Sequence, residues 1–216
     1  MTSTSTQTLG TLDTTRWLRE QSTATKVLAV LFGTLVLTAS SHVSVPMVPV
    51  PMTMQTLAVT LVGALYGWRL GGLTILVWLA QGALGLPVFA GGTGGLARFL
   101  GPTGGYLLAF PVAGALTGWL VERGWHGGRV VLAFAAMLIG NALCLLLGGA
   151  WLAAMVGVQK AIAVGVAPFV LGGVLKSVLG AALLKAIDSG TRKAAGRLDN
   201  EVSRKTRGVY LQIDKA

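Results

Sequence analysis

Acidic residues are scarce in this chain, which carries seven Asp and Glu against 17 Lys and Arg. Between Glu20 and Asp188 the only acid is Glu122. Acid–base catalysis and hydrolytic metal sites rely mainly on carboxylates and histidines, and the chain has only two histidines. The glycine cluster at 91–95 lacks the Gly-Lys-Ser/Thr ending of a phosphate-binding P-loop. The sequence therefore does not support an enzyme, and it excludes ATP hydrolysis by this chain.

Cysteine is nearly absent as well. The single cysteine, Cys144, excludes an intramolecular disulfide and lies in an apolar run, where it is expected to be a small packing residue. His42 ends the first hydrophobic span and has no second metal ligand close to it in the sequence. We therefore expect neither a metal ion nor a cofactor.

Apolar residues dominate what is present. They make up 53% of the chain, charged residues only 11%, and the mean hydropathy is +0.72. A water-soluble domain of 216 residues could not cover so much apolar surface, so the composition predicts an integral membrane protein. Residues 1–25 are rich in Ser and Thr and lack the apolar core of a cleaved signal peptide.

The net charge of +10 is concentrated at the membrane flanks. Eight basic residues lie from Lys185 onward, at and after the end of the last apolar span, which is typical of a cytoplasmic tail that faces anionic lipid headgroups rather than nucleic acid. These residues are Lys185, Arg192, Lys193, Arg197, Arg204, Lys205, Arg207 and Lys215.

Six apolar segments predict six membrane-spanning helices, because about 20 residues cross the hydrocarbon core. The predicted spans are residues 26–42, 53–66, 70–84, 105–121, 130–149 and 169–187. We predict an all-α membrane domain over 26–187 between a polar N-terminal tail, 1–25, and a basic C-terminal tail, 188–216. The fifth connection, 150–167, has apolar residues at helical spacing and could contain a short interfacial helix anchored by Trp151.

The distribution of basic residues predicts that both termini are cytoplasmic. With that orientation the inner segments carry fourteen Lys and Arg, and the outer connections carry two, Arg98 and Lys160. Lys176 falls inside a span. The inner basic residues outside the tail are Arg16, Arg19, Lys26, Arg69, Arg123 and Arg129.

This orientation places two unusual connections on the outside. Residues 85–110 contain two glycine clusters, 91–95 and 101–105, and Arg98 is their only charge. Such a segment must pack onto the protein or line a cavity, and bare glycine lets a ligand approach the backbone. Residues 45–52 contain three prolines and no charge, which predicts a stiff extended loop that could cover the site. We therefore predict a binding site at the outer membrane face.

Four stretches of the chain resemble BioY, the biotin-specific substrate-binding (S) component of energy-coupling-factor (ECF) vitamin transporters. The stretches are VPMTMQTLAV at 50–59, GLPVFAGG at 85–92, LGPTGGYL at 100–107, and the run from Lys160-Ala161 through Pro168-Phe169 to Lys176. The resemblance covers about residues 27–187. It implies a six-helix protein of a bacterial or archaeal cytoplasmic membrane that binds biotin at its external side. It also implies docking on a transmembrane coupling protein and two ATP-hydrolysing subunits.

The chain departs from the family pattern at one place. The family commonly has an aspartate three residues before the lysine of the last span, and Gly173 stands at that position here. Leu171 likewise replaces a proline. The sequence therefore shows no residue that takes over the role of the aspartate.

Lys176 is the strongest candidate for ligand binding. It is the only ionisable side chain deep inside a predicted span, where a lysine costs about 2.5–3.5 kcal/mol. It either contacts a ligand carboxylate or snorkels to the interface, and we favour the contact. Arg98 could bind the carboxylate of a ligand, or it could be solvated or bound to a lipid headgroup, and the sequence favours neither alternative.

The other candidates each have a structural alternative. Tyr106 and Gln55 could bond the ureido ring of biotin or satisfy helix ends, and Phe89 could wall a pocket or simply pack. Asn141 is more typical of interhelical hydrogen bonding than of ligand binding. The remaining candidates belong to the first glycine cluster and are Gly91, Gly92 and Thr93.

Ala29 and Gly33 lie on one face of the first span, four residues apart. In S components such a face meets the coupling protein, so the resemblance implies a partner-helix contact. Internal packing within the bundle explains the same spacing equally well.

Three functions compete on the sequence alone. The first is biotin capture as a subunit of an ECF-type transporter, or capture of another vitamin. The second is a transporter that works alone, against which the sequence shows no inverted repeat or proton-relay carboxylate. The third is a membrane-embedded enzyme on a lipid or prenyl substrate, which the lack of acids and metal ligands disfavours.

Overall fold

The computed structural model describes residues 15, 17–18 and 20–213, and it gives only the backbone at 195–196 and 198–213. Three basic residues that count toward the predicted orientation, Arg16, Arg19 and Lys215, lie outside this part of the chain. The side chains of Arg204, Lys205 and Arg207 do so as well.

The described chain is mainly helical. In order, its elements are α1 (Thr23–His42), β1 (Ser44–Val45), β2 (Met52–Thr53), α2 (Gln55–Ala83), α3 (Ala97–Leu100), α4 (Gly104–Glu122), α5 (Val130–Val156), α6 (Val158–Ala161), a π-helical turn (Ile162–Val166) and α7 (Ala167–Ile213). Five helical runs in this part are long and apolar enough to cross a membrane: α1, α2, α4, α5 and the run that starts with α6.

The α2 element consists of two crossings, because the chain reverses at Gly67. This residue has φ 79° and ψ 172°, outside helical geometry and in a region that favours glycine. A Cβ added at Gly71 would lie 2.9 Å from Cα of Gly63. Residues eight apart in a straight helix are separated by about 12 Å, so the two halves, 55–66 and 68–83, pack side by side. The predicted second and third spans are therefore both present, and the six-crossing fold is confirmed.

The reversal is stabilised at the start of its second half. The Trp68 backbone N–H donates to Glu122 Oε1 at 3.2 Å. A carboxylate at the N-terminus of a helix interacts favourably with its free N–H groups and its dipole. This contact explains the position of the only acid between the first and last spans.

Small residues allow α2 and α4 to pack closely. A Cβ at Gly63 would collide with the Gly114 carbonyl, and one at Gly118 would lie 2.5 Å from the Gly63 oxygen. Backbone approach through small residues is the main packing mode of membrane helices. Beside this contact lies an apolar core around Trp78, which is fully buried.

The connections at the outer end are ordered. The proline loop is closed by the antiparallel pairs Ser44–Thr53 and Val45–Met52, so its ends form a short hairpin rather than the plain extended loop that we expected. The segment between α2 and α4 contains the single turn α3 and a tight turn in which Phe89 pairs with Thr93. Both connections fold back onto the helices, as the shortage of polar groups in them requires.

The fifth connection is shorter than predicted. We expected an external segment at 150–167, but α5 continues to Val156 and the helix resumes at Val158. The break is Gly157, with φ 85°. Trp151 is half-buried, and its Nε1 donates to the Gly101 carbonyl at 3.0 Å, which joins α5 to the glycine-rich segment. The helical spacing in this stretch therefore does reflect helix, whereas the expected long connection is reduced to the break at Gly157.

Candidate functional site

A cavity opens at the outer end of the bundle, where the proline loop, the glycine-rich segment and the ends of α2, α4 and α7 meet. It is lined by Pro49, Val50, Pro51, Thr53, Gln55, Thr56, Phe89, Ala90, Thr93, Arg98, Thr103, Tyr106, Leu107, Phe110, Phe169 and Lys176. Six of the nine residues predicted to bind substrate are among them. The two external connections therefore form a single site with three helices.

Gln55 brings an unsatisfied amide to this cavity. Its side chain is 6% exposed, and its Oε1 accepts a hydrogen bond from Thr53 Oγ1 at 2.9 Å. Its Nε2 has no partner among the described residues. Leaving a buried amide group unpaired costs about 1–3 kcal/mol, so this position favours a ligand that offers an acceptor.

Lys176 reaches the same cavity from α7. Its Nζ donates to Thr56 Oγ1 at 3.3 Å, which joins α7 to the first turn of α2. The side chain is half-buried, and no acid forms an ion pair with it among the described residues. A charge in this setting is stabilised by an anionic ligand, because a hydroxyl partner does not neutralise it.

Arg98 stands on the single turn α3 and is exposed at the cavity. Within the described chain its guanidinium has no hydrogen-bond or ion-pair partner. Arg98 and Lys176 are the only charged residues among those that line the cavity, and no carboxylate is among them. The site therefore has positive charge at two points and selects for anions.

Aromatic side chains form the wall of the cavity. Phe89 is buried and packs edge-to-face against Trp78 at 5.1 Å and against Phe99 at 5.7 Å between ring centroids. Gly82 makes room for it, because a Cβ there would collide with the Phe89 ring. This packing fixes the position of the ring, so Phe89 both packs and lines the site.

Gly91 and Gly92 do not line the cavity. Both have positive φ, 71° and 66°, and they form the turn that pairs Phe89 with Thr93. The Phe89 N–H donates to the Thr93 carbonyl at 2.9 Å across this turn. The glycines thus place Phe89 and Thr93 at the cavity through their backbone conformation, instead of leaving bare backbone for the ligand.

Tyr106 lines the cavity with its ring, while its hydroxyl is bonded elsewhere. The hydroxyl donates to the Gly165 carbonyl in the π-helical turn at 2.7 Å. The ring fits against Gly148, where a Cβ would collide with it, and packs near Phe169 with centroids 6.4 Å apart. In this arrangement Tyr106 offers the ligand an apolar surface.

Asn141 lies outside the main cavity. It bonds the Met137 carbonyl at 3.0 Å and Ser177 Oγ at 3.2 Å, so it joins α5 to α7. It borders a second, largely apolar cavity together with Cys144, Gly173 and Lys176. A Cβ at Gly173 would meet only Asn141 Cβ, at 3.9 Å, so there is room for a side chain where the family has its aspartate.

Ala29 is half-buried and Gly33 is buried against α2, which favours the internal-packing alternative over the partner-helix contact. A Cβ at Gly33 would lie 2.6 Å from Thr74 Cγ2, and the Ala29 carbonyl accepts a hydrogen bond from the Tyr66 hydroxyl at 2.9 Å. Their spacing therefore serves packing of α1 against α2.

Some lining residues were not singled out from the sequence. Thr53 forms a hydrogen bond with Gln55, and Thr56 accepts one from Lys176. Phe169 packs near Tyr106. All three lie within the stretches that carry the family resemblance. That resemblance was the available signal for them, because hydropathy alone does not separate cavity residues from packing residues.

Comparison with known proteins decides the family. The model of the BioY family matches residues 13–193. The chain belongs to the BioY family. This match spans most of the chain and includes every residue of the cavity.

Relatives in both bacteria and archaea support this membership. The biotin transporter BioY of Rhizobium etli is 35% identical over 131 residues, which is 57% of this chain and 70% of the relative. The biotin transporter BioY2 of Lactococcus lactis is 37% identical over 116 residues, 54% of this chain and 63% of the relative. The probable biotin transporter BioY of Pyrococcus horikoshii is 40% identical over 78 residues, which is 36% of this chain and 48% of the relative. The alignments thus span from about half to 70% of these BioY proteins.

The fold is that of a solved S-component for biotin from an ECF-type ABC transporter. The two structures align with a TM-score of 0.66 at 23% sequence identity, over 78% of this chain and 95% of the other. At 23% identity the match shows the fold alone. It is consistent with a BioY protein that spans the membrane several times.

Proposed function

We propose that this BioY protein captures biotin at the external face of the membrane and hands it to an ECF-type transporter. The observation that carries the proposal is the cavity. Within the described chain it combines two cations that have no acidic partner with a buried amide N–H that has no hydrogen bond, in a chain of the BioY family. Biotin matches these groups, because it carries a carboxylate, a ureido ring with a carbonyl acceptor, and an apolar body.

The half-buried Lys176 is the proposed partner of the carboxylate. A desolvated ammonium gains more from a counterion than an exposed guanidinium, which water already solvates. Arg98, at the cavity surface, then attracts the anion and acts mainly on its rate of association. The Gln55 amide donates to the ureido carbonyl, and Phe89 and Tyr106 supply apolar contact.

Comparison of biotin with its methyl ester tests this assignment. Each ligand is titrated into detergent-purified wild type, Lys176→Met and Arg98→Gln. Biotin should saturate at one site per chain. Lys176→Met should lower the affinity for biotin strongly and the affinity for the ester only slightly. Thiamine and riboflavin serve as control ligands. If either control ligand binds and biotin does not, the proposed function is wrong. If Arg98→Gln, and not Lys176→Met, lowers the affinity for biotin much more than the affinity for the ester, the carboxylate lies at Arg98.

We further propose that transport needs the coupling protein and two ATP-binding subunits. The chain has no P-loop, so energy for uphill uptake must come from elsewhere. Purification from the native membrane should yield an ATPase complex. Proteoliposomes that contain this chain alone should bind biotin without accumulating it, and accumulation by the chain alone would contradict the role as a subunit.

A further inference from the structure

A groove on the outside of the bundle lies between residues 68–83 of α2 and the antiparallel α4, and it shares no residue with the biotin cavity. Two rows at four-residue spacing form it, so each row lies along one face of its helix. The rows are Trp68, Gly72 and Leu76 on α2, and Pro111, Ala115 and Trp119 on α4.

The floor of the groove is made by small residues. A Cβ added at Gly72 would lie 3.6 Å from Ala115 Cβ, with no other atom within 4 Å. The rims are large apolar side chains that stay half exposed, such as Leu76 and Val112, each 53% exposed. The space between them is shaped for an apolar chain and lies where the protein meets the hydrocarbon core.

Two arginines stand at one end of this groove. The Arg69 guanidinium lies 4.9 Å from the centroid of the Trp68 ring, and that of Arg123 lies 3.8 Å from the Trp119 ring. Both arginines are exposed, and within the described chain neither forms an ion pair. Stacking on tryptophan orients a guanidinium plane while its N–H edges stay available to an acceptor. This end is the cytoplasmic one, because Arg69 at the start of the second half of α2 and Arg123 just after α4 both belong to the basic residues that predict the inner side.

The length of the groove identifies its occupant. Eight residues separate Trp68 from Leu76 and Pro111 from Trp119, which corresponds to about 12 Å along each helix. Half of the ~30 Å hydrocarbon core is about 15 Å, so the groove spans one leaflet only. A partner helix would cross both leaflets, whereas one phospholipid in the inner leaflet has this length and ends in a phosphate at the arginines.

We propose that this groove is a specific site for an anionic phospholipid of the inner leaflet, with an acyl chain against Gly72 and Ala115 and the headgroup on Arg69 and Arg123. Guanidinium groups bind phosphate oxygens through paired N–H donors, and a net negative headgroup satisfies both arginines. The site is independent of biotin binding.

Native mass spectrometry of the delipidated protein tests the proposal. Phosphatidylglycerol and phosphatidylcholine with the same acyl chains are added separately, and lipid adducts are counted. One phosphatidylglycerol should bind in preference to phosphatidylcholine, and Arg69→Ala/Arg123→Ala should weaken it roughly thirtyfold. A matched pair, Arg129→Ala/Lys185→Ala, removes two cytoplasmic charges outside the groove and should leave binding unchanged. Gly72→Leu fills the floor and should abolish the adduct with both arginines present.

Biotin titration of every variant shows whether it is folded, because none of these residues lines the biotin cavity. Equal loss of the lipid in the matched pair would mean that only general surface charge matters, and would overturn the site. Equal binding of phosphatidylcholine would do the same. The last experiment is photo-crosslinking in intact membranes, from a photo-reactive amino acid that replaces Val112. Crosslinking to a phospholipid supports the proposal, and crosslinking to a protein overturns it.

Discussion

Replacement of Lys176 by methionine is the most direct test of the proposed ligand geometry. Methionine keeps an unbranched apolar stem but removes the ammonium and its 3.3 Å hydrogen bond to Thr56. A charge-assisted hydrogen bond to a ligand contributes about 1.5–3 kcal/mol. At about 1.4 kcal/mol per factor of ten, the dissociation constant of biotin should rise roughly ten- to a hundredfold.

Folding should survive this change, because a charge within the membrane disfavours the bundle when no ligand is present. The assay is equilibrium binding of labelled biotin to protein in detergent, with thermal unfolding measured on the same samples. The matched control is Lys185→Met, which removes an exposed lysine from the same helix outside the cavity. Wild-type affinity in Lys176→Met would refute the reasoning and would show that the lysine only extends to the interface. A lowered unfolding temperature without biotin would show that its contact with Thr56 is structural.

Three further predictions follow from contacts at or near the cavity. Gln55→Leu should weaken the binding of biotin roughly tenfold, because it removes the amide donor that has no partner among the described residues; unchanged affinity in a titration would show that this amide does not contact the ligand. Tyr106→Phe should lower the free energy of unfolding by about 1 kcal/mol and change biotin affinity little, because its hydroxyl bonds Gly165; a large loss of affinity with unchanged stability would assign the hydroxyl to the ligand. In a Cys144→Ala background, Thr103→Cys should react with an impermeant thiol reagent in whole cells and Ser189→Cys should not; the reverse pattern would invert the topology.

The sequence predicts the crossings well because hydropathy and basic flanks report directly on the lipid environment. Even the boundary between the second and third spans, near Gly67, is correct to within a few residues. The fifth connection is wrong for the same physical reason. Residues 150–167 are apolar enough for helix and loop alike, and only the backbone at Gly157 shows where the helix breaks.

The site is predictable in composition but not in detail. Charge scarcity makes Lys176 and Arg98 conspicuous, and both line the cavity. Gly91 shows the limit, because sequence does not distinguish a glycine that meets a ligand from one that turns the chain. Ala29 and Gly33 show another, since small residues at four-residue spacing look the same whether a helix packs inward or toward a partner. The role of each of these residues depends on its tertiary contacts, which are made with residues far away in the sequence.

Gly157 has a consequence for the geometry of the cavity. It is the one non-helical residue between α5 and the helical run that carries Lys176, so the backbone angles at this glycine set the direction of that run relative to α5. On the far side of the cavity, Phe89 is held by the core around Trp78, and Gln55 by its hydrogen bond with Thr53. The hydrogen bonds of Lys176 to Thr56 and of Asn141 to Ser177 hold the run in this position. A change of the backbone angles at Gly157 would move the ammonium relative to the Gln55 amide, so one glycine and these two bonds together set the distance between the polar groups of the cavity.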